Sequence, residues 1–312
     1  LGTAVVTVAD GKTLTAAANI LANNQINQAT GGTTDGAIKV TMTKDDTAAK
    51  DEAVDLTSIT GTADVTSITV TNDMTFTGKL HGTADTTLAN GVTFTSTATK
   101  LHEKKVIEAV GHKATVIVTG LKDKTDANLS ELKTDSVTTT VTGNITNFTG
   151  DLGTAVVTLD DTVEFTSTAA KLSGKSIDDT GNGGADKAKV IVTDLHLSDT
   201  ANLSTITTDS VTAAVTSDIT NFTGDLGTAV VTLNDTVKFT STAAKLSGIS
   251  IDDAAGKAST VIVTALHLSD TANLSTITTN SVTAALTDDV TFKGDLGTAV
   301  VTVADGKTLT AA

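Results

Sequence analysis

The chain has 312 residues and a formal net charge of −15, it lacks Pro, Cys, Trp and Tyr, and its cationic charge is all lysine. That acidity argues against a nucleic-acid partner, which needs cationic groups to displace counterions from phosphates, and against an anionic membrane surface. With no cysteine there is no disulfide framework or thiolate metal site, and with aromatics at 2% any core is thin and built from Val, Ile, Leu and Ala.

In chain order, LGTAVVTVADGKTLTAA opens at residues 1–17 and returns letter for letter at 296–312. The phrase GDLGTAVVT stands at 150–158, 224–232 and 294–302, and DLGTAVVTLDDTVEFTSTAAKLSGKSIDD (151–179) corresponds to DLGTAVVTLNDTVKFTSTAAKLSGISIDD (225–253). These matches define repeat units 1–78, 79–150, 151–224 and 225–294, with a further unit opening at 295. The first unit is the most diverged: IKVTMT (38–43) and MTFTG (74–78) stand where VIVTDL and NFTG stand later. Fixed-period self-similarity of this kind is the signature of a repeat architecture.

Within a unit, TAVVTL, TVEFTST, KVIVTDL, NLSTITT, SVTAAVT and ITNFTG alternate apolar and polar positions and are rich in Val, Ile, Thr and Phe, which reads as short β-strands. Asp, Asn, Gly and Ser fill the corners between them. AAANILANNQIN (16–27) and LHEKKVIEAV (101–110) follow the FTST-type strand and have some helical character. No apolar run approaches the ~20 residues of a membrane-spanning helix. The start at Leu1, without Met or a leader, suits a processed chain or a stretch of a longer array.

Two all-β architectures fit. One is a parallel β-solenoid with three coils of about 24 residues per unit. The other is a tandem array of immunoglobulin-like β-sandwich domains. Short regular gaps, the missing aromatic anchors and a length difference confined to one loop, GNGGADKAK (181–189) against AGKAST (255–260), favour the solenoid.

The most site-like stretch is SIDDTGNGGAD (176–186), where Asp178, Asp179, Asn182 and Asp186 offer hard oxygen ligands suited to Ca²⁺. The sister loop SIDDAAGKAS (250–259) keeps only the first two carboxylates. The DTG at 179–181 has no second copy to pair with, so no aspartic-protease dyad is expected. The five histidines (His81, His102, His112, His196 and His267) form no HExxH, and no GxSxG is present. No catalytic or cofactor-binding residue is therefore expected, and the chain reads as non-enzymatic. TMT (41–43), TFT (75–77), TFTST (93–97), FTST (165–168 and 239–242) and TIT (205–207 and 276–278) place hydroxyls at period two, which stacked coils would align in rows. Asn-x-Ser/Thr sequons recur, as at Asn128, Asn202 and Asn273.

The stretches TDSVTAAVTSDITNFTGDLGTAVVTL and LSDTANLSTITTDS resemble the Thr-rich β-strand repeats of large bacterial surface proteins: giant adhesins, S-layer-type proteins and extracellular fibre proteins. The resemblance covers nearly the whole chain in texture and implies an exported, structural or adhesive role. The expected partners are further repeats or copies of the same chain, joined end to end, and surface glycans. The chain departs from the calcium-binding branch of such proteins by lacking the glycine-aspartate nonapeptide.

Overall fold

The computed structural model describes residues 4–30, 35–43, 52–82, 84–122, 127–179 and 188–312. The chain is an all-β solenoid, and among the described residues the strand pairings are parallel. It falls into two compact units: Leu1–Val141 with Gly150–Thr158, and Thr142–Thr149 with Leu159–Ala312.

In the second unit, Ile145–Phe148 pairs with Glu164–Thr168, then come Lys189–Thr193, Ser210–Val215, Val230–Leu233 and Ile251–Asp253. A second column begins at Ile219–Phe222 and continues through Lys238–Thr242, Thr260–Thr264, Ser281–Leu286 and Val300–Val303. A third begins at Val290–Phe292 and continues with Leu309–Ala311. Each column therefore starts on the same kind of strand, ITNF or its variant VTF. The rungs then follow in one order: ITNF, FTST, VIVT, SVTAAV, VVTL, IDD.

This order fixes the winding. One repeat has ten sides in chain order. Seven are strand-like. The other three carry a one-turn helix at Ala243–Leu246, a 3-10 turn at Leu266–Leu268 and the TGDLG loop. Neighbouring rungs are three sides apart, so a coil has three sides. Ile145, Phe165, Val190 and Val211 mark three full coils, and eight residues more reach Ile219, the next ITNF. A repeat is thus three and a third coils rather than three, and among the described residues the coils range from 17 residues (Ala284 to Val301) to 35 (Gln25 to Thr60). Ten is not a multiple of three, so equivalent strands move to a new face with each repeat. The first unit behaves in the same way: Thr13–Ala17 and its counterpart Thr93–Thr97 lie in different sheets.

The core is the inward half of each strand. In Glu164–Thr168, Phe165 and Ser167 are buried and Thr166 is half-exposed; in Lys189–Thr193, Val190 and Val192 point in. Six of the seven phenylalanines are among the largest fully buried side chains. They meet as rung-to-rung pairs: Phe76–Phe94, Phe148–Phe165 and Phe222–Phe239, with centroids 5.7, 5.5 and 5.6 Å apart. Beside each pair a buried serine hydroxyl donates to the carbonyl of the preceding phenylalanine: Ser96 to Phe76 at 2.7 Å, Ser167 to Phe148 and Ser241 to Phe222 at 2.6 Å.

Two expectations are corrected. Helix follows the FTST-type strand in all four repeats, but only for one turn: Ala18–Leu21, Ala98–Leu101, Ala169–Leu172 and Ala243–Leu246. Most of 101–110 is not helical, and Val106–Glu108 is a strand. The single turn forms without a side-chain cap because its first Ala and last Leu, three residues apart, are both buried. Nor do the threonine motifs align in rows. Equivalent strands never stack on one another, so Thr166 neighbours Ile191, then Thr212, then Val230 on the outer surface.

Candidate functional site

Asp178 and Asp179 lie in the strand Ile177–Asp179; Asn182 and Asp186 lie outside the described residues. Asp179 Oδ2 accepts the N–H of Asp209 at 2.8 Å, in the turn of the next coil. The same position does the same work in two other repeats. Glu108 Oε2 accepts from Asp135 N–H at 2.9 Å and Ala114 N–H at 2.8 Å, and Asp253 Oδ2 accepts from Asn280 N–H at 2.5 Å. This carboxylate joins one rung to the next. Asp178 Oδ1 is buried without a hydrogen-bond partner, whereas its counterpart Asp252 accepts from the hydroxyl of Thr278. Among the described residues no group of three or more His, Asp or Glu is placed to hold a metal ion.

Acidic and amide side chains recur as splices elsewhere. Asp73, Asn144, Asp218 and Asp289 each accept the first strand N–H of the following coil, at Thr93, Glu164, Lys238 and Thr308, over 2.6–2.9 Å. The sequon residues Asn128, Asn202 and Asn273 close turns onto Ser130, Ser204 and Ser275, whose N–H and hydroxyl both donate to the asparagine Oδ1. Nothing in the pattern of DE and N residues marks these splices, because their partners are backbone groups about twenty residues away. The signal that could have found them is their recurrence at one position of every repeat.

The histidines do not come together. His196 and His267 each lie 3.3 Å from a threonine hydroxyl, of Thr216 and Thr287. His102 Nδ1 accepts from Asn128 N–H at 3.1 Å, the place taken by a serine hydroxyl at Ser173 and Ser247.

A concavity lined by cationic groups lies in the first unit. A shallow cavity of about 260 Å³ is lined by Thr57, Lys79, Leu80, Thr99, Lys100 and Lys104. Lys79 reaches Asp55 at 3.1 Å. The Thr57 hydroxyl, and then Lys79, hold the Asp55 carboxyl below its ordinary value. Nearby, burial and then the charge of Lys104 hold the His81 imidazole below 6.5. Three lysines around one concavity are unusual on so acidic a chain, and all three fall in repeat 2, with Thr57 of repeat 1 beside them.

No family model, curated protein or solved structure matches the chain. Among the described residues no helix is long and apolar enough to cross a membrane.

Proposed function

We propose that this chain is a structural segment of an extracellular filament, sheath or surface layer, built by end-to-end continuation of its β-repeats. The observation that carries this reading is the rung order of the second unit, where ITNF, FTST, VIVT, SVTAAV, VVTL and IDD strands follow one another in parallel pairs and each coil offers the next the same kind of edge. In a solenoid each coil is stabilised chiefly by its neighbours, so the same strand chemistry that holds the inner coils suits a joint. The acidic, cysteine-free and Thr-rich composition supports an exported location. Sedimentation of the chain across a concentration series tests the reading: growth into head-to-tail oligomers whose electron micrographs show a ~4.8 Å axial spacing is expected, and a monomer at all concentrations refutes it.

The lysine-lined cavity favours a second reading, a stalk with a ligand-binding face for acidic surface glycans. Lysine ammonium groups bind carboxylate or sulfate as point charges, with an affinity that falls as salt rises. Binding of a sulfated polysaccharide at low salt, lost in Lys100→Gln/Lys104→Gln, supports that reading. Equal binding by the variant removes it.

A further inference from the structure

Two surface features of opposite chemistry sit in different repeats. The first is a knob in repeat 3. The 3-10 turn Leu195–Leu197 follows Asp194, whose backbone is left-handed at φ 54°. Leu195 is fully buried and anchors the turn, and Leu197 N–H donates to Asp194 O at 2.9 Å. Leu197 is thereby held out of the surface, 74% exposed, with Asp194 and Asp199 on either side of it in the chain. The second feature is the concavity of repeat 2. Leu80, 2% exposed, forms its base, and Lys79, Lys100 and Lys104 stand around it with Thr57 and Thr99. Lys79 is taken up by Asp55 at 3.1 Å, whereas Lys100 and Lys104 have no carboxylate partner among the described residues. Charge follows the same division. Residues 79–150 carry eight Lys against seven Asp and Glu, and residues 151–224 carry four against eleven, so the two repeats of neighbouring copies attract.

We infer that the Leu197 knob of one copy seats in the lysine-rimmed concavity of a second copy, with Leu197 over Leu80 and Asp194 and Asp199 against Lys100 and Lys104. The inference rests on the filament reading and adds to it a side contact between copies. Leu197 leaves water against Leu80 and the lysine stems, while the ammonium and carboxylate groups meet at the rim. A sulfated sugar supplies the charge but no apolar group for that base. The pairing is selective on both halves, as charge complementarity requires. Leu268 is 75% exposed at the same place in repeat 4, but Ala265 replaces Asp194 there and Asp270 is taken up by Lys293 at 4.0 Å. The bridge of Asp55 to Lys79 recurs as Asn128 to Asp151, Asn202 to Asp225 and Asn273 to Asp295, so at those corners an acidic knob meets a carboxylate instead of a lysine. The two halves lie on different repeats, so the contact is heterologous and every copy offers both. One knob makes a weak contact, and copies aligned along a filament multiply it.

Charge reversal of each half, in the full chain at low salt, tests the contact by sedimentation. Lys100→Glu/Lys104→Glu reverses the concavity and Asp194→Lys/Asp199→Lys reverses the knob; Ala265, with φ 52°, shows that the turn forms without an aspartate. Each variant alone is expected to lose association that the unaltered chain shows. The two variants mixed in equal amounts are expected to recover it, because the reversed knob of one meets the reversed concavity of the other. Association kept in full by both variants overturns the knob contact and leaves end-to-end growth, which needs neither patch, in place. Association lost in both and not restored on mixing also overturns it. If all the association follows the charge swap, the knob contact stands and end-to-end growth falls. An unaltered chain that is monomeric at every concentration overturns both, and binding of a sulfated polysaccharide by that monomer through Lys100 and Lys104 makes a glycan the occupant.

Discussion

At the scale of the residue, the tight turn between the VVTL and FTST strands shows how local chemistry and repetition can disagree. Thr162 and Thr236 sit there with φ of 68° and 62°, where Gly11, Gly91 and Gly306 hold the same position in other copies at 62°, 77° and 73°. A β-branched residue is strained in the left-handed region and glycine is not. Both threonine residues are solvent-exposed, and the bond from Thr236 N–H to Ala258 O is one that glycine keeps. Thr162→Gly and Thr236→Gly are therefore each expected to raise stability by about 0.5–1 kcal/mol, and a lower unfolding midpoint in urea would refute the assignment of strain. Asp179 belongs to the same scale. Asp179→Ala removes the acceptor for Asp209 N–H and should cost about 1 kcal/mol, equally in calcium and in a chelator. A loss seen only in calcium would restore the cation loop as its role. His81 gives a pH signature. An imidazole held below 6.5 by burial resists protonation when folded, so it contributes stability above the unfolded value that is lost as pH falls through about 6.5. The melting midpoint should drop between about pH 7.5 and 5.5, and His81→Gln should flatten that part of the slope. Identical slopes would count against the burial of this side chain.

At the scale of the element, rungs are held by contacts that reach one coil forward. The phenylalanine pairs are the bulkiest of these, and Phe165→Ala should cost about 3–5 kcal/mol, by lost burial and the cavity left behind. Gly224 marks a close approach of coils: a Cβ there would lie 2.1 Å from the carbonyl oxygen of Ala201. Gly224→Ala should therefore cost about 1–3 kcal/mol through overpacking, while Gly143→Ala, where a Cβ would meet nothing and φ is likewise not positive, serves as the control. Coil length, by contrast, is adjustable. Phe165 and Val190 are 25 residues apart, whereas Phe239 and Val261, their counterparts, are 22 apart, and both pairs hold the same register. The three extra residues lie between the IDD and VIVT strands. Replacing TGNGGADKA (180–188) by AAGKAS, its counterpart at 254–259, should leave the melting midpoint within about 2 °C, because the closure entropy of a connection varies slowly with its length.

At the scale of the whole molecule, winding controls what any surface can do. A repeat of three and a third coils adds about 16 Å along its axis at ~4.8 Å per coil, and it presents each strand type on the next face in turn. A solenoid with a whole number of coils per repeat would place identical strands above one another at every repeat and build long uniform ranks of threonine. Here each column mixes Thr, Ile and Val, so a flat regular hydroxyl array is not formed. Within the second unit, the same winding puts the pairs Phe148–Phe165 and Phe222–Phe239 in different sheets instead of weakening one of them.

Much of this could be read from residues alone. The period-two alternation of KVIVT and SVTAAV, the turn residues at the corners and the long internal matches favoured parallel stacked strands over tandem sandwiches, but the expected core of Val, Ile, Leu and Ala left out the six buried phenylalanines that pair from rung to rung. The candidate carboxylates were legible as residues but not in their role: Asp179 meets a backbone N–H thirty positions away, and a backbone partner has no letter in the sequence. The one-turn helix in AAKL was missed because four residues carry too little propensity to register, and only the burial of its Ala and Leu makes it helical. What tertiary structure alone decided is which strand lies on which. The repeat length counts residues, but stacking counts sides per coil, and the number of sides follows from how sharply each corner turns. Ten sides wound three to a coil leave a remainder of one, and that remainder sets which strand each described strand lies on.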